Sequence, residues 1–198
     1  MPEPSITLAT PAHRPRVVAT VVEAFRDDPA FNYFFPDDYD REAAAFAGLL
    51  FDTRSAGRST WVVDDGVAVA MWDRPRAADA GREDDLHGTL GDVISPATLG
   101  RIERYEAAVD HRLPTDPHWY LGILATDPAH AGRRLGRLVK RFGLVEAGRQ
   151  GTRAALETTN PDNVARYRAE GWTVHDEVDV DDVLHVWVLV HEGLTDEG

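Results

Sequence analysis

A single mixed α/β domain is the architecture this sequence predicts, and three observations predict it. Short apolar runs alternate with amphipathic helical stretches across residues 118 to 170, the pattern of parallel crossovers. Two pairs of adjoining strand-like runs, one before that segment and one after it, read as antiparallel. The composition is ordinary for a folded domain: 198 residues, 43% hydrophobic and 28% charged.

Element by element, Ile6 to Ala9 reads as a strand. Val17, Val18, Val21, Val22 and Phe25 recur at helical spacing, and Pro29 is expected to stop that helix. "FNYFFPDDYD" then reads as an aromatic and acidic turn, and Arg41 to Phe51 as a second helix. Thr60 to Val63 and Val67 to Trp72 form a hairpin around Asp64-Asp65-Gly66. Residues 74 to 116 are polar and irregular except for one helix, capped by Ser95, opened by Pro96 and buried along Leu99, Ile102 and Val109. Strand His118 to Thr126, helix Gly132 to Gly148, strand Thr152 to Thr158 and helix Asn163 to Glu170 follow. Strands Thr173 to Val178 and Val183 to Val190 close the domain, which is expected over residues 1–192, with 193–198 a loose tail.

Composition excludes several chemistries. There is no cysteine, hence no disulfide, thiolate metal site or cysteine nucleophile. The formal net charge of -13 argues against nucleic acid as a partner. No apolar run reaches membrane-span length and no signal-peptide pattern opens the chain, so a soluble cytoplasmic protein is expected. The four serines lack a G-x-S-x-G setting, and neither a P-loop nor an H-E-x-x-H motif occurs. "DVDVDD" alternates as a strand edge does, and no metal site is expected.

Against that acidic background, "GRRLGRLVKRF" carries Arg133, Arg134, Arg137, Lys140 and Arg141 and no acid. A helix start leaves backbone N–H groups unpaired and carries the positive end of the dipole, which suits an anion. Gly132 and Gly136 would let the backbone approach a pyrophosphate. Leu135, Leu138, Val139, Phe142 and Val145 are the expected core face, with Arg133, Arg137 and Lys140 largely off it. The same five cations also suit a solvated helix face.

"TDPAHAGRRLG" and "NPDNVARYRAEGW" together resemble the two signatures of the GNAT superfamily of N-acyltransferases. The first keeps Pro128, Gly132 and Gly136, and departs at Ala131, where Arg or Gln is usual, and at Arg134, where Gly is usual. The second supplies Asn160, Asn163, Tyr167, Gly171 and Trp172 at matching spacing. "AFRDDPAFNYFFPD", "AMWDRP" and "YLGILATDP" resemble the puromycin N-acetyltransferase-type branch. The resemblance implies a mixed GNAT-type sheet, a cytoplasmic transferase and acetyl-coenzyme A as acyl donor. It implies donor contacts from strand residues Leu124, Ala125 and Thr126, from the turn Gly132, Arg133, Arg134, Leu135, Gly136 and Arg137, and from Asn160 or Asn163. Tyr167 would be the general acid, since a phenol is protonated at neutral pH and can donate to a departing thiolate. Glu157, at the end of its strand beside the expected thioester, is the candidate base, with His118 and Asp28 behind it. Phe31, Phe34, Trp72 and Trp119 would wall the acceptor site, and Asp28 and its acidic neighbours would draw in a cationic amine. A small-molecule amine is the expected acceptor. An acidic acyl carrier protein as donor, and a non-catalytic binding protein on the same scaffold, remain open alternatives.

Overall fold

Seven strands hydrogen-bond in the order β1-β2-β3-β4-β5-β7-β6 in this computed structural model, which describes residues 3–75 and 89–194. β1 (Ile6–Leu8), β2 (Thr60–Val63), β3 (Ala68–Asp73) and β4 (His118–Thr126) are successively antiparallel. β4 runs parallel to β5 (Arg153–Thr158), as a strand-helix-strand crossover requires. β7 (Leu184–His191) inserts between β5 and β6 (Thr173–Val180) by pairing antiparallel to both.

Helices cover both faces. On one lie α1 (Arg14–Ala24), α2 (Pro29–Phe34), α3 (Tyr39–Ala56) and α4 (Pro96–Asp110); their core includes Val17, Val21, Phe31, Phe46, Ile102 and Ile123. On the other lie α5 (Leu135–Arg149) and α6 (Pro161–Arg168), over Trp72, Trp119, Leu135, Val139, Leu156 and Trp172.

The mixed sheet, the hairpin and the crossover match the sequence reading. Two local expectations do not. Pro29 starts a helix rather than ending one: Asp28 caps α2 through Ala30 N and Phe31 N, and proline at the first helical position forfeits no hydrogen bond. The buried face of α5 is also rotated from the apolar stripe read in the sequence. Leu138 and Phe142 are each 40% exposed, while Lys140 is 3% exposed. The cause is Gly143, where any Cβ would overlap the Trp72 indole. That close approach turns the Gly143 side of the helix inward and carries Lys140, one turn earlier, with it.

The irregular segment of the sequence reading lies partly outside the described residues, at 76–88. At the C-terminus Gly193 and Leu194 are packed, with Leu194 N donating to Leu144 O, and 195–198 lie outside the described residues. No described helix is long and apolar enough to cross a membrane.

Candidate active site

β4 carries one extra residue, Gly122, between its Leu121 and Ile123 pairings to β3. The bulge shifts the phase of the pleat: Leu121 packs into the α5 face and Ile123 into the α4 face, although two residues apart on a regular strand would share a face. A Cβ at Gly122 would come within 2.5 Å of the Arg54 guanidinium and displace it. Arg54 in turn grips Asp73 in a two-bond fork, Nε to Oδ1 at 2.9 Å and Nη2 to Oδ2 at 2.8 Å.

Past the bulge β4 and β5 separate. Their pairing ends at Tyr120 with Ala155, although both strands continue. Asp127 N donates to Val67 O, so alternation directs Ala125 toward β3 and the N–H and C=O groups of Leu124 and Thr126 into the gap. The gap therefore offers an unpaired strand edge to an extended ligand carrying amides.

One end of this gap meets the start of α5. Gly136 sits against Thr126 and Leu124, its Cβ position 3.4 Å from Thr126 Oγ1. Arg134 is the N-cap, left-handed at φ 58 and ψ 25, and its side chain makes no capping hydrogen bond. The first amides of a fifteen-residue helix are thus left for another acceptor. Gly132, at φ +80, has nothing within 4 Å of its Cβ position, and Arg134 and Arg137 are exposed beside it. These residues fit a pyrophosphate-bearing ligand on geometry as well as on charge.

The other end meets a cavity of about 160 Å³. Phe25, Phe31, Phe34, Phe46, Tyr105 and Tyr120 give it an aromatic wall. Four carboxylates line it, Asp28, Asp73, Glu106 and Glu157, against the single guanidinium of Arg54. Burial raises the Asp28 carboxyl above its ordinary range, and the amides of Phe31 and Ala30 only partly oppose this. Tyr105 Oη donates to Glu157 Oε1 at 3.5 Å, a long bond. Tyr167 from α6 reaches the same cavity. Burial holds its phenol protonated well above the ordinary tyrosine range, and the carboxylates of Glu170 and Glu157 push the same way.

The expected site residues thus divide. Tyr167, Glu157, Leu124, Asn163, Asp28, Phe31 and Phe34 all line the cavity, with Asn163 Nδ2 donating to Thr158 Oγ1 at 3.5 Å. Asn160 is engaged as the N-cap of α6, accepting from Asp162 N at 2.9 Å. Trp72 and Trp119 require correction. They are 0% and 1% exposed in the core beneath α5, on the far face of the sheet from the cavity. His118 lies at the start of β4, bound to Asp116 O, and is not a lining residue. Tyr105, Glu106, Tyr120 and the Arg54–Asp73 pair were not singled out from sequence. Arg54 and Asp73 are 19 residues apart on different elements, and nothing in their spacing indicates that they meet.

The fold recurs in solved structures. A Corynebacterium glutamicum protein described as histone acetyltransferase HPA2 and related acetyltransferase superposes with a TM-score of 0.69 at 23% identity, over 98% of this chain and 99% of that one. The chain has the GNAT fold. A Drosophila melanogaster polyamine N-acetyltransferase that forms N-acetylagmatine matches at TM-score 0.69 and 13% identity, over 96% of this chain and all 100% of that one. Arylalkylamine N-acetyltransferase 2 of Aedes aegypti matches at 0.69 and 10%, over 96% of this chain and 99% of its own. No family model matches the sequence. At these identities the likeness establishes the architecture, and the chemistry has to come from this chain's own residues.

Proposed function

We propose that this protein is an acyl-coenzyme A-dependent N-acyltransferase that acetylates a small cationic amine. The observation that carries the proposal is the opening between β4 and β5, which joins an uncapped helix start to an acidic, aromatic cavity with Tyr167 and Glu157 at the junction. Neighbours named for polyamine, agmatine and arylalkylamine substrates support the acceptor class.

Coenzyme A would supply an acetyl group activated as a thioester. The amides at the start of α5, with Arg134 and Arg137 beside them, hold its pyrophosphate. Leu124 and Thr126 offer strand-edge pairing to its amide arm, and an N–H in that edge polarises the carbonyl. Glu157 accepts the proton of the acceptor amine. Tyr167 Oη holds the proton that the departing sulfur takes up. The aromatic wall orients the amine's carbon body, and Asp28 answers its positive charge.

The experiment is direct. Because the chain has no cysteine, a thiol reagent sees only the coenzyme A released. Release that depends on both acetyl-coenzyme A and a cationic amine supports the proposal. Absence of coenzyme A binding by calorimetry, at low salt and millimolar ligand, rejects it. An acidic carrier protein as donor is a second reading, favoured by the exposed Arg134 and Arg137, and the same assay with acyl-loaded carrier tests it.

A further inference from the structure

We infer that Lys140 is a positioning residue for Tyr167, holding a positive charge over the phenol ring so that the ring can give up its proton. The inference rests on the acyl-transfer reading above. Lys140 is the only lysine in a chain that otherwise carries arginine and histidine as its basic residues. It is 3% exposed, on the inward side of α5. Its Nζ lies 4.7 Å from the centroid of the Tyr167 ring, within cation–π range. Glu170, just beyond α6, receives a hydrogen bond from Nζ and fixes the ammonium there. Trp172 backs the same ring at 5.7 Å, and His191 of β7 backs Trp172 at 5.4 Å.

A buried lysine needs a reason, because desolvating an ammonium is unfavourable. An ion pair with Glu170 alone could be made at the surface. Here the pair is drawn beneath the tyrosine whose acidity matters. Giving its proton away leaves Tyr167 negative in a site that already holds carboxylates: Glu170 beside α6, Glu157 of β5, and Asp28 of the α1–α2 turn. Arg166 on the tyrosine's own helix opposes them. Around Lys140 itself stand Glu170, Arg137 of its own helix and His191. The His191 imidazole is held below its ordinary range by burial first and by the charge of Lys140 second. Burial lowers the Lys140 ammonium from its ordinary range and the Glu170 hydrogen bond opposes this; the ammonium is the buried cation over the ring face, and its attraction for the ring grows as the ring becomes a phenolate. A lysine suits this role because its charge is compact, whereas a guanidinium would need several bonds satisfied.

The test replaces Tyr167 with difluorotyrosine, whose more acidic phenol can be titrated by fluorine NMR in the folded protein. Lys140→Met should raise that phenol's pKa by about one unit or more, a tenfold loss of ionisation at fixed pH, and Lys140→Arg should restore part of it. Since Lys140 is the sole lysine, nitrogen-labelled lysine gives one side-chain signal. In the unsubstituted lysine protein that signal should shift as the phenol ionises, which tests the contact even if the Met variant fails to fold. An unmoved phenol titration in a folded Lys140→Met protein, or an unmoved lysine signal, overturns the inference whether or not the protein acylates amines. Where it does, Lys140→Met should lower kcat about tenfold with donor KM unchanged, and cost little more in a Tyr167→Phe background. Multiplying penalties would mean that Lys140 does not act through Tyr167, and would likewise overturn it.

Discussion

Replacing Arg134 by glycine separates two effects that act in opposite directions. Arg134 is the N-cap of α5 in the left-handed region, φ 58 and ψ 25, at a position where the related signature has glycine. A left-handed conformation costs a non-glycine residue about 1–2 kcal/mol. Glycine surrenders about 0.5–1 kcal/mol of extra chain entropy on folding. The net expectation is a gain between about 0 and 1.5 kcal/mol, and each kcal/mol moves the melting midpoint of a chain this long by about 2–4 °C. Binding should move the other way. The exposed guanidinium stands beside an uncapped helix start, and a charge-assisted hydrogen bond to phosphate is worth about 1.5–3 kcal/mol. Arg134→Gly should therefore melt at the same temperature or a few degrees higher. It should bind coenzyme A about ten- to 150-fold more weakly, with a shallower dependence on salt. Thermal melting and calorimetry at two ionic strengths read the two effects separately. Tighter binding by the glycine variant would refute the reasoning, because the arginine would then obstruct the phosphates, and a carrier-protein donor would gain ground.

Three further outcomes follow from the cavity. Tyr167→Phe should keep the fold and the donor affinity and lower turnover roughly ten- to a thousandfold, read by thiol release at saturating acceptor; unchanged turnover would remove Tyr167 from the acid role. Glu157→Gln should alter the pH–rate profile by removing the proton acceptor, and identical profiles would send the search for a base to Glu106, Asp28 or water. Asp28→Asn keeps a side chain that can cap α2 while removing a buried charge. A carboxyl whose folded pKa is raised gives stability that is full below its unfolded pKa and is lost as pH rises through the folded one. The Asn variant should therefore overtake the wild type in melting temperature on going from acid to neutral pH. It should also raise KM for a cationic acceptor about tenfold or more, the value of one charge-assisted contact.

What could be read from the sequence divides along a physical line. Alternating periodicity placed the crossover, the hairpin and the helix after Ser95, because these depend on neighbours within a few positions. "NPDNVARYRAEGW" singled out Tyr167, which lines the cavity, and the glycines singled out the turn before α5, because local backbone demands leave a local signature. Contacts made across the sheet left no such mark. Gly122 looks like any glycine until Arg54 is seen lying over it, and without that bulge nothing shows that Trp72 and Trp119 turn away from the cavity. Gly143 scores as neither polar nor apolar, yet its contact with Trp72 sets the rotation of α5 and so the burial of Lys140. Tyr105 and Glu106 belong to a helix whose cavity-facing side is defined only by what stands opposite it.

That burial has a consequence for the protein's own chemistry. An activated thioester acylates exposed amines indiscriminately, and most proteins present many lysines to it. Here every basic side chain on the described surface is a guanidinium or an imidazole, and the single ammonium is enclosed against Tyr167 and Glu170. Guanidinium groups stay protonated and are poor nucleophiles. Under the proposed function, a thioester donor held at the surface would meet no accessible side-chain amine on the protein that binds it.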